Sequence, residues 1–289
     1  MGAPGQGGSQ AQGQNLLEDL RAVDIDRYLS LLLMPDHVRD DLATLMLFNA
    51  EIAAIRDRIR EALPGEIRLQ WWHDVVSGGR VGEAEAHPLA SRLVELIDRR
   101  AMPVAPLAGM CEARVFDLYD DPMPDRGSYE GYAGETASAL LQMSVFVLAP
   151  GAAGEAATAS GHAGVAQAIA GHLMMLPITQ KRGQVFIPGD LLAATGLDRD
   201  SLLEAGNKDR IDAAIRAFAG LGREHLAKAR SAFAELPHGA RPAYLPVALA
   251  EPVFGRAESL GSRCLETPPR PSQMKRQWRL WRASRGGRI

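Results

Sequence analysis

Apolar residues recur every three or four positions along most of this chain, which predicts a succession of α-helices. Leu16, Leu17, Leu20 and Val23 have that spacing, so the folded part begins near Asn15. Asp24 is placed to cap a second helix running through Tyr28 to Leu33. Pro35-Asp36 opens a long helix from about His37 to Ala62, with Val38, Leu42, Leu45, Phe48, Ile52, Ile55 and Ile59 along it, and Pro64-Gly65 is expected to stop it. The next helix carries Ile67, Leu69, Trp71, Trp72, Val75 and Val76 and ends at Ser77-Gly78-Gly79. Further helices are predicted over 89–99, 107–119, 129–148, from about Gly161 to the basic turn at Lys181-Arg182-Gly183, and over 191–195, 200–204, 209–234 and 244–256. Two prolines, Pro122 and Pro124, make residues 120–125 a loop. The only extended run expected is Gln184 to Ile187, closed by Pro188.

Composition narrows the class. Of 289 residues, 46% are hydrophobic, and few of them fall in β-branched runs, which favours helices. A net charge of −3 gives no electrostatic case for nucleic acid. Cys111 and Cys264 are isolated and supply neither a metal nor a disulfide framework, which fits a reducing compartment or an incidental pair. No run of about 20 apolar residues is present, so no transmembrane helix is predicted. Residues 1–14 are rich in Gly and Gln and read as a disordered arm, lacking the basic and apolar regions of a signal peptide. A domain over 15–267 and a basic-aromatic tail over 268–289 follow.

One stretch is anomalous in charge. From Ala156 to Gly189 there is no Asp or Glu. Around it lie several segments that resemble the squalene/phytoene synthases. Arg39 sits early on the first long helix, and Arg68 to Asp74 (RLQWWHD) looks like the family's Arg-Leu-x-x-Trp-Trp-x-Asp segment. His87-Pro88 follows, then Asp117 before a loop, then Tyr129 and Tyr132, and finally Lys181 to Leu192 (KRGQVFIPGDLL). The resemblance spans roughly residues 25–255. It implies an all-α fold, an isoprenoid synthase-type helical bundle around an apolar central cavity.

The family's chemistry, as the resemblance implies it, needs carboxylate pairs on two facing helices. Mg2+ is a hard ion that bridges phosphate oxygens to carboxylates, and it holds the diphosphate leaving group as a Lewis acid. Residues i and i+4 share a helix face, so Asp-x-x-x-Asp pairs build such a cluster. Lining up Phe48 and Ile55 with the family puts Ala53 where the first Asp belongs and Asp57 where the second belongs. At the second helix, Met174 to Thr179 offers no Mg2+ ligand, with Ile178 at a degraded motif position, and Pro177 is expected to break the helix there. Asp57 and Glu61, interleaved with Arg56, Arg58 and Arg60, read as a solvated face. Asp121 and Asp125 have the motif spacing but fall in the proline loop. The seven histidines show no close ligand spacing, with His162 and His172 read as core or boundary residues. No metal site and no cofactor are expected, Mg2+ entering only for an enzyme. Arg39, Asp57, Lys181 and Arg182 are the ligand-binding candidates.

The resemblance extends to a branch of the family that lacks both aspartate motifs and includes a mitochondrial assembly factor for respiratory complex I. Phe48-Asn49-Ala50-Glu51 matches its Phe-Asn-x-Glu. This implies a non-catalytic assembly or lipid-handling factor for a membrane respiratory complex, cytoplasmic and peripheral to the inner membrane, with an apolar lipid or isoprenoid ligand and a respiratory subunit as partners. The alternative is a prenyl-diphosphate condensing transferase with altered ligands. In the tail, Arg270, Lys275, Arg276, Arg279, Arg282, Arg285 and Arg288 occur with Met274, Trp278 and Trp281 and no acid. If residues 272–283 are helical, the three apolar residues share one face, a composition suited to an anionic membrane surface; the alternative is that Trp278 and Trp281 fold back onto the bundle and the arginines solvate its edge.

Overall fold

The computed structural model describes residues 16–289; the 1–14 arm lies outside them. In chain order the helices are α1 (16–23), α2 (Ile25–Leu31), α3 (Arg39–Ala53), α4 (Ile55–Arg58), α5 (Ala62–Val76), α6 (Val81–Ala86), α7 (Pro88–Arg100) and α8 (Ala105–Ala113). Then come α9 (Arg126–Ala133), α10 (Ala139–Leu148), α11 (Ala157–Thr179), α12 (Gly189–Ala194), α13 (Arg199–Leu203), α14 (Lys208–Ala234), α15 (Ala250–Leu260) and α16 (Gln273–Gly286). Among the described residues there is no β-strand, so the fold is all-α. Gln184–Ile187 is extended but joins no ladder, and the Gly189 amide after it donates to the Met123 carbonyl at 2.9 Å. No helix among these residues is long and apolar enough to cross a membrane.

Two apolar clusters form the core. One surrounds the packed pair α11 and α14, with Ile169, Leu173, Ile215 and Phe218 fully buried. The other is built on α3, α5, α7 and α8, with Leu42, Phe48, Leu93 and Leu107 at its centre. Side chains of α10 contribute to both, Val145 to the first and Leu140 and Met143 to the second. Trp72 is buried against Phe48, ring centroids 5.4 Å apart, while the neighbouring Trp71 lies half-buried and its indole N–H donates to Glu83.

Helix termini follow local chemistry. Asp24 caps α2, accepting from the amides of Asp26 at 3.1 Å and Arg27 at 3.0 Å, which satisfies donors that have no partner inside the helix. Pro88 occupies the first turn of α7, Asp125 caps α9, and Asn207 caps α14.

Several boundaries depart from the sequence-based expectation: the helices expected over 107–119 and 244–256 are 3₁₀ over Arg114–Leu118 and Arg241–Leu249. The helix expected over 37–62 is interrupted at Ala54, and the chain leaves α4 extended at Ile59. Pro64-Gly65, expected as a stop, lies in the first turn of α5, where a missing proline N–H leaves no bond unmade. The long helix expected over 129–148 contains one π-helical turn, Gly134–Ser138, between α9 and α10. Helix α11 runs through Pro177 to Thr179 instead of breaking, because one lost bond to the Leu173 carbonyl near its end is outweighed by packing along its 23 residues.

Gly164 explains how close α11 and the π-turn come. A Cβ there would sit 2.4 Å from the Ser138 Cα, and the Ser138 hydroxyl donates to the Gly161 carbonyl at 2.8 Å. Gly183, at φ +77°, ends the 3₁₀ turn Gln180–Arg182 after α11 in the left-handed conformation that glycine adopts without strain.

Candidate functional site

A cavity of about 470 Å³ opens between the two core clusters. Its walls differ in chemistry. The α11 wall presents Gln167, Ala168, Gly171, His172, Met175 and Thr179, which recur at three- and four-residue steps along one helix face and include no carboxylate. The opposite wall, from the α1–α2 junction and the α3–α4 break, presents Asp24, Arg27, Glu51, Ala53, Asp57 and Arg58. Arg114, Asp117 and Tyr132 close the floor, and Arg182 stands at the rim. The central cavity, expected to be apolar, is therefore uncharged but partly polar on one side, through Gln167, His172 and Thr179, and charged on the other.

Each carboxylate in the lining is engaged by an arginine of the same chain. Asp24 meets Arg27 at 3.5 Å while capping α2. Glu51 accepts from Arg58 at 2.5 Å. Asp57, the surviving motif position, is ion-paired to Arg182 across the rim. Asp117 accepts from Arg114 at 2.9 Å and from the Tyr132 hydroxyl at 2.7 Å, and the Arg114 guanidinium also reaches that hydroxyl at 2.8 Å. Gln184 fixes the floor by donating to the Asp117 carbonyl at 2.6 Å.

Burial sets the protonation of the floor. It works against the charge of Arg114, but Tyr132 and Asp117 outweigh it and hold the guanidinium firmly protonated. Burial pushes the Tyr132 and Tyr129 phenols well above their ordinary range. His172 stacks on Phe186, centroids 4.1 Å apart, and hydrogen-bonds the Tyr129 hydroxyl through Nδ1 at 2.7 Å. Burial, aided by Arg114, depresses its pKa to about 3, so the ring is neutral at pH 7.

These residues do not fit a Mg2+–diphosphate centre. A magnesium site needs oxygen ligands with unspent charge, at two places facing each other. Ala53 offers a methyl group, Asp57 is held by Arg182, and the α11 wall offers only uncharged side chains, of which the Gln167 amide and Thr179 hydroxyl alone carry oxygen. No group of three or more His, Cys, Asp or Glu side chains able to hold a metal ion occurs among the described residues.

Of the residues singled out from sequence, the fold brings Ala53, Asp57 and Arg182 to the cavity. Ile178 does not line it and is 43% exposed, because the inward face of α11 runs through Met175 and Thr179. Arg39 caps the end of α2, donating to the carbonyls of Leu31, Leu32 and Met34. Lys181 is exposed beside the rim. Asp57 and Glu61 do not share a helix, since α4 ends at Arg58. Arg27, Arg114 and Gln184 escaped sequence reading. The three-residue spacings of Asp24 with Arg27 and of Arg114 with Asp117 hinted at pairs.

Fold and cavity together define an isoprenoid synthase-type bundle in which every carboxylate lining the cavity is paired to an arginine. The squalene/phytoene synthase family model matches residues 20–282. This chain belongs to the squalene/phytoene synthase family. It is 29% identical over 229 residues to NADH dehydrogenase (ubiquinone) complex I, assembly factor 6, of Rattus norvegicus, covering 79% of this chain and 68% of that one. The Bos taurus assembly factor 6 is 29% identical over 250 residues, 86% of this chain and 75% of that one. Among solved structures, a dehydrosqualene synthase in complex with ligand superposes with a TM-score of 0.81 at 14% identity, covering 96% of each chain. Squalene synthase HpnC from Alicyclobacillus acidocaldarius does so with 0.73 at 14% identity, covering 87% of this chain and 95% of that one. These two likenesses concern the fold.

Proposed function

We propose that this chain is a non-catalytic member of the family that serves as an assembly factor for a membrane respiratory complex. The observation that carries the reading is the internal pairing of every carboxylate in the cavity, with Ala53 at one ligand position and an uncharged α11 wall opposite. A diphosphate entering without metal would bring several charges against an uncharged wall, at a cost of several kcal/mol or more. The similarity to proteins named as complex I assembly factor 6 supports the same reading.

Deleting the gene in the source organism tests it. NADH:quinone oxidoreductase assembly, followed on native gels, should fall and be restored by the wild-type chain. Purified protein given farnesyl or geranylgeranyl diphosphate with Mg2+ should release no pyrophosphate. Turnover of either substrate, or normal complex assembly without the gene, would contradict the proposal.

A second reading is compatible with the first and rests on the cavity itself. Helix α11 leaves room beside Ala168 and Gly171, and about 470 Å³ of space remains for an apolar chain. We infer that the cavity takes a lipid or isoprenoid tail. Native mass spectrometry with lipid extraction should find a bound lipid at stoichiometric level. A lipid-free protein would contradict this part alone.

A further inference from the structure

Helix α16 folds back onto the bundle by one face. Leu280 and Ala283 are buried there, and Arg276 is ion-paired to Asp26 of α2, next to the cavity residue Arg27. The opposite face is uncovered. Met274 is 80% exposed, Trp278 53% and Trp281 51%, at i, i+4 and i+7 on one helix side. Three large apolar side chains aligned outward on a packed helix are not explained by the fold's own core.

The charges beside them are one-sided. Among the described residues Lys275, Arg279, Arg282 and Arg285 make no ion pair to a carboxylate, and no Asp or Glu occurs from Arg270 to Ile289. Arg282 lies over the Trp278 ring at 5.3 Å from its centroid and Arg285 over Trp281 at 5.6 Å, so cation and ring present one surface. Next to this stripe runs a groove of about 820 Å³ between α14, the 3₁₀ helix Arg241–Leu249 and α16. Arg230, Arg241, Arg279, Arg282 and Arg288 line it, and no Asp or Glu does. Of these, Arg230 is bound to the Ile289 carbonyl and Arg241 to the carbonyls of Ala234 and Leu236, which leaves Arg279, Arg282 and Arg288 without an oxygen partner among the described residues.

We propose that α16 and this arginine groove form a docking surface for an anionic phospholipid bilayer. Met274, Trp278 and Trp281 sit at head-group depth, and Arg279, Arg282 and Arg288 meet lipid phosphates. Tryptophan suits that depth because its ring is apolar and its N–H is polar. An ordered helix already packed on the bundle keeps its apolar side turned to the membrane, with little ordering entropy left to lose on binding. The surface is independent of whether the cavity is catalytic, and its test reads neither turnover nor complex assembly.

Flotation of the full chain with vesicles of phosphatidylcholine alone, and of phosphatidylcholine with phosphatidylglycerol, tests the proposal. Binding is expected to the anionic vesicles only and to fall as salt rises. The variant Arg279→Gln/Arg282→Gln/Arg288→Gln should bind on the order of a hundredfold more weakly, from about 1 kcal/mol per cation. Trp278→Ala/Trp281→Ala should also weaken binding, and should abolish the blue shift of tryptophan emission on anionic vesicles, since Trp71 and Trp72 lie within the bundle. All substituted side chains are exposed, and an unchanged thermal midpoint verifies folding. Equal binding to neutral vesicles, absence of binding, or undiminished binding by both folded variants would overturn the proposal.

Discussion

In the cavity each carboxylate has an arginine of its own, whereas on α16 four cations have no carboxylate partner among the described residues. Both regions are rich in arginine, yet they answer to different partners. A charge satisfied inside the chain supports the fold and leaves little for a ligand. A charge left without a partner on an exposed helix, beside exposed tryptophans, is available to something outside. Counting arginines therefore says less than asking what each one touches.

The largest expected effect comes from breaking a cavity pair where it is buried. Asp117→Ala leaves Arg114 without its carboxylate in a site with little water, and should lower stability by about 3–5 kcal/mol in denaturant unfolding. Gly164→Ala should come next. Its Cβ meets backbone atoms of Ser138, so helix α11 must move from the π-turn, at about 1–3 kcal/mol.

His172 gives a pH signature for the same region. Its folded pKa of about 3 lies below an unfolded value of about 6.5, so the unfolded chain binds the proton more readily. Its share of stability is intact above about pH 6.5 and is lost as pH falls from there toward 3, by at most about 1.4 kcal/mol per unit. His172→Gln should flatten the stability–pH curve in that window. An unchanged slope would show that the ring is not held neutral by its surroundings.

The rim pair should matter least to stability. Asp57 and Arg182 are 46% and 32% exposed, so Arg182→Ala should cost about 0–1 kcal/mol in the same unfolding assay. A cost above about 2 kcal/mol would place that pair among the buried ones and blur the contrast with α16.

Much of the bundle was legible because buried helix faces impose a three-to-four spacing that survives without knowledge of neighbours. The predicted helices at 89–99, 209–234 and 191–195 agree with α7, α14 and α12 to within one or two residues at most ends. Boundaries set by tertiary contact were not legible. Ala54 is a good helix former, yet α3 stops there, and Pro177, a poor one, lies within α11. The π-turn at Gly134–Ser138 shifts the register of one helix by a residue and leaves no mark in composition. In the candidate site, the positions aligned on the first motif reached the cavity, because Ala53 and Asp57 flank the α3–α4 break that forms its wall. Ile178 fell outside it because a helix face cannot be chosen without its register, and Arg182, which neutralises Asp57, comes from a distant part of the chain.

The central claim is that internal pairing has closed this cavity to the metal-bound diphosphate that the fold would otherwise hold. Calorimetric titration of the purified chain with farnesyl diphosphate, with and without Mg2+, tests it most directly. The pairing predicts that adding Mg2+ produces no gain in affinity. Magnesium-dependent binding at micromolar affinity or tighter would contradict it.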